Sequence, residues 1–140
     1  MKNKAPLSLM EQLVMLLVFA LSAALCLQIY VLSGQISRRC EAQGYAVSAV
    51  QNTAETVKFC RGDFSRYPQL LGGTGTSRQW EIGYDENWEQ TPSRQAVYRI
   101  LVIPDSPSLP TLGSASVTAM TKTDEVLFSV CVSWQEVDHE

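Results

Sequence analysis

Apolar positions fall into three patterns along the chain. From Gln12 to Ser33 they form a run of 22 residues without a charge, QLVMLLVFALSAALCLQIYVLS. At about 1.5 Å per residue such a helix is about 33 Å long, enough to cross a hydrocarbon core of about 30 Å. Ala, Leu and Met dominate its first two-thirds, which favours a helix. From Ser37 to about Cys60 the apolar residues recur at three- and four-residue steps: Val47, Val50, Ala54 and Val57, with Cys60 extending the stripe. Glu41, Gln43, Gln51, Asn52, Glu55 and Lys58 take the other faces. Gly44 interrupts the pattern at a cost of about 1 kcal/mol relative to Ala and leaves room for a gentle bend. Gly62 and Pro68 end it. The spacing predicts one helix from Leu7 to Cys60, about 80 Å long, its first half suited to lipid and its second half to packing on a domain.

Arg61 to Arg78 reads as a flexible loop. Its Gly72-Gly73-Thr74-Gly75 stretch has no following Lys and precedes a strand, so it lacks the arrangement of a phosphate-binding loop. Beyond it the period changes to two. Trp80, Ile82 and Tyr84 alternate with Glu81, Gly83 and Asp85; Asp85-Glu86-Asn87 turns the chain, and Trp88 begins a short return strand. Ala96–Ile103 carries Tyr98, Ile100 and Val102 on one face. Three prolines between Pro104 and Ser114 predict an irregular loop. Ala115, Val117 and Ala119 alternate next. In Glu125–Gln135, Val126, Phe128, Val130, Val132 and Trp134 oppose Leu127, Ser129, Cys131, Ser133 and Gln135. The expected class is α+β: a long N-terminal helix packed on an antiparallel sheet of about four strands.

Charge narrows the function. The 140 residues hold 11 basic and 14 acidic side chains and one His, for a net charge of −3. Residues 34–140 carry nine basic and thirteen acidic residues, which argues against nucleic acid as the main partner. The lone His139 is a poor general base for Cys131, and no catalytic constellation is present, so an enzyme is not expected; nor is a cofactor. Lys2 and Lys4 precede the apolar run and favour a cytoplasmic N-terminus, with the remaining chain outside the cytoplasm; Arg38 and Arg39 weaken that bias without reversing it. The run is long for a cleaved signal peptide ending at Val31-Leu32-Ser33, whose apolar region takes about 7–15 residues. The organisation is then a segment 1–6, a transmembrane helix 7–33 and an extracytoplasmic domain 34–140.

Glu11 opens the apolar run. A carboxylate there is costly unless it finds a partner or lies at headgroup depth, where the first turn of a helix favours it. Pro6-Leu7-Ser8-Leu9-Met10-Glu11, following Lys2 and Lys4 and preceding about 20 apolar residues, resembles the N-terminal signal of type IV pilins and type II secretion pseudopilins. The predicted order, helix first and sheet second, resembles that family too. The resemblance implies a leader of residues 1–6, cut by a prepilin peptidase between Pro6 and Leu7, although Pro6 stands where the family has Gly. It implies a structural subunit, a minor pilin or pseudopilin, that assembles through its helix with other such subunits on an inner-membrane assembly platform. Glu11 would pair with a neighbouring subunit's terminal amine within the bilayer. Pro6 favours the alternative, an unprocessed single-pass membrane anchor carrying an extracytoplasmic binding or scaffold domain that does not polymerise.

Other candidate chemistry is sparse. Asp85, Glu86 and Glu89 are weak Ca²⁺ candidates at a turn; their spacing matches no loop motif. Cys26 reads as a small apolar residue in the membrane helix. Cys40 and Cys60 lie about 30 Å apart on one helix and cannot pair. A Cys60–Cys131 bridge would require both on the same side of the sheet. Cys131 falls on the Ser129–Ser133 face and Cys60 on the helix stripe, so free thiols are expected. Trp80, Tyr84, Trp88 and Trp134 are either sheet packing or a binding face.

Overall fold

A computed structural model describes residues 5–106 and 111–136. The chain divides into two compact units, Met1–Cys40 and Glu41–Glu140, and helix α1 (Ala5–Phe59) contributes to both. In the first unit every described side chain from Pro6 to Cys40 is exposed. This stretch meets the length and apolarity needed to cross a membrane. Pro6 sits in the first turn, where backbone N–H groups have no intrahelical acceptor, so its missing donor costs nothing. Inside the apolar stretch the Ser22 hydroxyl donates to the Val18 carbonyl at 2.9 Å, which satisfies it without a partner helix.

The second unit is α+β, as the periodicity predicts. It contains the end of α1, a 3₁₀ turn (Phe64–Arg66), the short helix α2 (Tyr67–Leu70) and six antiparallel strands: β1 (Thr74–Thr76), β2 (Gln79–Tyr84), β3 (Gln90–Thr91), β4 (Tyr98–Asp105), β5 (Leu112–Thr121) and β6 (Val126–Gln135). The order across the sheet is β1-β2-β4-β5-β6, with β3 also on β2. Four of these are the strands read from alternation. The other two, β1 and β3, are three and two residues long and lie end to end along one side of β2, Thr74–Thr76 against 79–81 and Gln90–Thr91 against 83–84. Trp88 is in the preceding turn at φ 61°, so the return strand begins two residues later than expected.

The buried stripe of α1 is Ala46, Val50, Ala54 and Val57, with Cys60 just beyond. It lies against Trp80, Ile82, Ile100, Val102, Ala115, Val117 and Ala119 of the sheet. Ala46 takes the first place in the stripe, expected above for Val47, and Thr53 is tolerated in the buried face because its hydroxyl donates to the Ala49 carbonyl at 2.8 Å. Fully burying a Val or Ile here contributes about 1.5–3 kcal/mol. The helix runs through Gly44 without interruption. It ends in a Schellman turn: Gly62 N–H donates to the Val57 carbonyl and Arg61 N–H to the Lys58 carbonyl, both at 3.1 Å, with Arg61 left-handed at φ 51°.

Two expected loops are more ordered than their composition suggests. In the 61–78 segment the Trp80 indole donates to the Gly72 carbonyl and the Gln90 amide to the Leu71 carbonyl, both at 2.8 Å. Gly73 has φ 78°, and a Cβ there would lie 2.3 Å from the Glu81 carbonyl oxygen. The proline-rich loop is shorter than predicted because β4 and β5 pair out to Asp105↔Ser114. Pro104 is tolerated because odd-numbered residues of β4 bond to β5, as Lys122 N–H donating to Val97 O at 2.8 Å fixes. Its absent N–H thus faces the side where β2 has already ended, the pairing with β4 stopping at Trp80↔Val102.

Candidate functional site

Glu11 is the only acidic or basic residue between Ala5 and Ser37. It lies in α1, flanked by exposed Leu7, Leu9, Met10 and Leu13. Pro6 and Leu7 are helical, one turn earlier. Lys2, Lys4 and the rest of segment 1–4 lie outside the described residues. In a single chain this stretch is a rod of apolar side chains with one carboxylate near its mouth. By length and apolarity such a surface suits a lipid surrounding.

The weak Ca²⁺ candidates are not brought into a cage. Asp85 Oδ1 accepts the N–H groups of Asn87 at 2.8 Å and Glu89 at 2.9 Å, so this carboxylate shapes the turn in which Trp88 sits. Among the described residues no three His, Cys, Asp or Glu side chains are grouped to hold a metal ion.

All four cysteines are free; Cys60 is buried, while Cys26, Cys40 and Cys131 are exposed. Burial pushes the Cys60 thiol up, away from the reactive thiolate, with Arg66 opposing and Asp63 reinforcing the shift. Cys131 lies on the outer face of the sheet, its Sγ 3.8 Å from Asp105 Oδ2. His139, dismissed above as a base for it, lies outside the described residues. Beneath the α1 terminus, Tyr67 is fully buried with no partner for its hydroxyl. Burial, then the nearby Cys60 and Asp63, pushes its phenol up to about 12.

The four aromatic residues singled out in the sequence separate into two roles. Trp80 is core, edge-on to Tyr67 at 5.8 Å. Trp134 packs over Gly62 and Gly113, and its indole N–H has no partner. Trp88 and Tyr84 belong instead to a surface cluster. Trp88 stacks on Tyr98 at 4.5 Å and meets Tyr84 at 5.7 Å and Tyr45 of α1 at 6.4 Å. This cluster borders a cavity of about 380 Å³ between α1 and the β2–β3 turn, lined also by Ser48, Asn52, Thr56 and Gln90. Tyr45 and Tyr98 were not singled out as site residues: Tyr45 lies outside the apolar stripe of α1, and Tyr98 meets Trp88 only because β4 pairs with β2. On the opposite face of the sheet Arg99 bridges Asp124 and, at 3.9 Å, Glu81.

Compared with family models, curated proteins and solved structures, the chain matches none.

Proposed function

We propose that the protein is a membrane-anchored structural subunit of the type IV pilin or type II secretion pseudopilin kind, whose N-terminal helix packs with those of other such subunits. The observation that carries this reading is the wholly exposed apolar half of α1 with Glu11 near its start. Apolar side chains facing lipid gain nothing by associating, whereas an acid among them gains by meeting a cation on a neighbour. Glu11 therefore sets the stagger between adjacent helices, and the terminal amine of a subunit beginning at Leu7 is its mate. The α+β domain lies outside the cytoplasm and presents its sheet and aromatic cluster to partners.

A second reading rests on Pro6, which replaces the residue the peptidase requires: an unprocessed anchor that carries the same domain without polymerising. The intact mass of the protein from its own membrane separates the two. A chain beginning at methylated Leu7 supports the subunit. A chain retaining residues 1–6 supports the anchor.

A further inference from the structure

The cavity between α1 and the β2–β3 turn has an aromatic end and a polar wall. Tyr45, Ser48, Asn52 and Thr56 of α1 succeed one another at three- and four-residue steps, so they share one face of the helix over about 17 Å. Tyr84 and Trp88 complete the aromatic end beside Tyr45. Gln90 lines the cavity from β3, its amide fixed by donation to the Leu71 carbonyl at 2.8 Å. None of the described residues lining the cavity is charged.

Two features mark it as more than a gap in packing. Trp88 occupies φ 61°, a conformation natural to Gly that costs a bulky residue about 1–3 kcal/mol. It is held there by the Asp85 carboxylate, which accepts from Asn87 and Glu89 on either side of it, and by the Tyr98 ring stacked at 4.5 Å. A Trp placed where Gly would be easier is there for its ring, which is pre-set at the cavity. The second feature is the set of polar groups. Among the described residues the Ser48 hydroxyl and the Asn52 amide have no hydrogen-bond partner. The Thr56 hydroxyl donates to the Asn52 carbonyl at 2.9 Å, which leaves its oxygen as an acceptor. Donors and acceptors are thus interleaved along the wall.

We propose that this cavity binds a neutral carbohydrate. An anion calls for donors and a basic side chain, a cation for carboxylates, and the walls offer neither charge. Each sugar hydroxyl both donates and accepts, which the interleaved Ser, Asn, Thr and Gln groups match, while the C–H face of a sugar ring packs on Tyr or Trp. At about 380 Å³ the cavity lies near the low end of the roughly 300–1,000 Å³ of small-molecule sites, room for one or two sugar rings. The inference stands on residues of the Glu41–Glu140 unit alone and holds under either reading of function.

The test uses the full chain in a polyoxyethylene detergent, which carries no sugar, and isothermal titration calorimetry with maltose, cellobiose, lactose and N,N′-diacetylchitobiose. Saturable binding of at least one is expected, with a dissociation constant of about 1 mM or tighter. It should exceed the binding of choline chloride and of galacturonate. Asn52→Ala and Tyr45→Ala each replace an exposed helix residue with the best helix former, so both proteins should fold. Each should weaken the binding by about tenfold. No saturable binding of any of the four sugars, tighter binding of choline in an aromatic cage, tighter binding of galacturonate, or a sugar held undiminished by either folded variant would each overturn the proposal.

Discussion

Trp134 closes the end of the domain by lying across two glycines, and Gly113→Ala is the perturbation that isolates this contact. A Cβ on Gly113 would sit 2.3 Å from both Cε2 and Nε1 of the indole. Carbon atoms are comfortable at about 3.5–4.0 Å, so the indole must move by more than about 1 Å. It cannot move towards Gly62, where the Cζ2 edge already occupies the place of a Cβ, 2.4 Å from it. Forced displacement of a packed side chain costs about 1–3 kcal/mol. The backbone of Gly113 is not left-handed, so alanine is otherwise acceptable there. Trp134→Ala alone should cost less than the roughly 3–5 kcal/mol of a fully buried Trp, because Trp134 is only partly buried. With the indole gone, Gly113→Ala should become neutral or stabilising by about 0.5 kcal/mol, through the smaller entropy of the unfolded chain. The coupling between the two sites is then about 2 kcal/mol. Urea unfolding of the full chain in detergent, read by Trp80 and Trp88 fluorescence, measures all four corners of the cycle. If Gly113→Ala costs the same with and without the indole, the steric reasoning is wrong.

Three further outcomes follow from the same geometry. Tyr67→Phe should be neutral or stabilising by about 1 kcal/mol, since it removes a buried hydroxyl with no partner. The native phenol is raised from 10.0 to about 12, so the unfolded chain ionises first. Stability should be intact below pH 10 and fall between pH 10 and about 12, and thermal melts of Tyr67→Phe should lose that alkaline slope. Gly73→Ala forces a left-handed Cβ into the Glu81 carbonyl and should cost about 2 kcal/mol or more in the same urea assay, with the Trp80 and Gln90 bonds to the loop disturbed. Maleimide should label Cys131 in the folded protein and Cys60 only after denaturation; equal rates would contradict the opposite placement of the two thiols.

The long helix and the four principal strands were legible because their periods persist over many residues. The 22-residue uncharged run is helical throughout and long enough to cross a membrane, and the β6 alternation fixes its inner face from Phe128 to Trp134. What was not legible depends on partners distant in sequence. Ala46 replaces Val47 at the start of the stripe because docking on the sheet, not apolarity, sets the rotation of α1. The 61–78 segment is pinned by Trp80 and Gln90, whose side chains find backbone carbonyls eight and nineteen residues earlier. Pro104 joins a strand because β2 stops short of it. Asp85, by contrast, was read as a turn residue and only a weak Ca²⁺ candidate, and its carboxylate does shape the turn by accepting from the Asn87 and Glu89 N–H groups. The place of β6 at the end of the sheet required the strand order, which no local pattern encodes.

The most direct test of the central claim is copurification of Glu11→Ala and Glu11→Gln proteins with other membrane-anchored helical subunits from the native host, against the unaltered chain. If the carboxylate sets helix packing by charge, both substitutions should abolish association while leaving membrane insertion intact. Undiminished association of Glu11→Ala would contradict it.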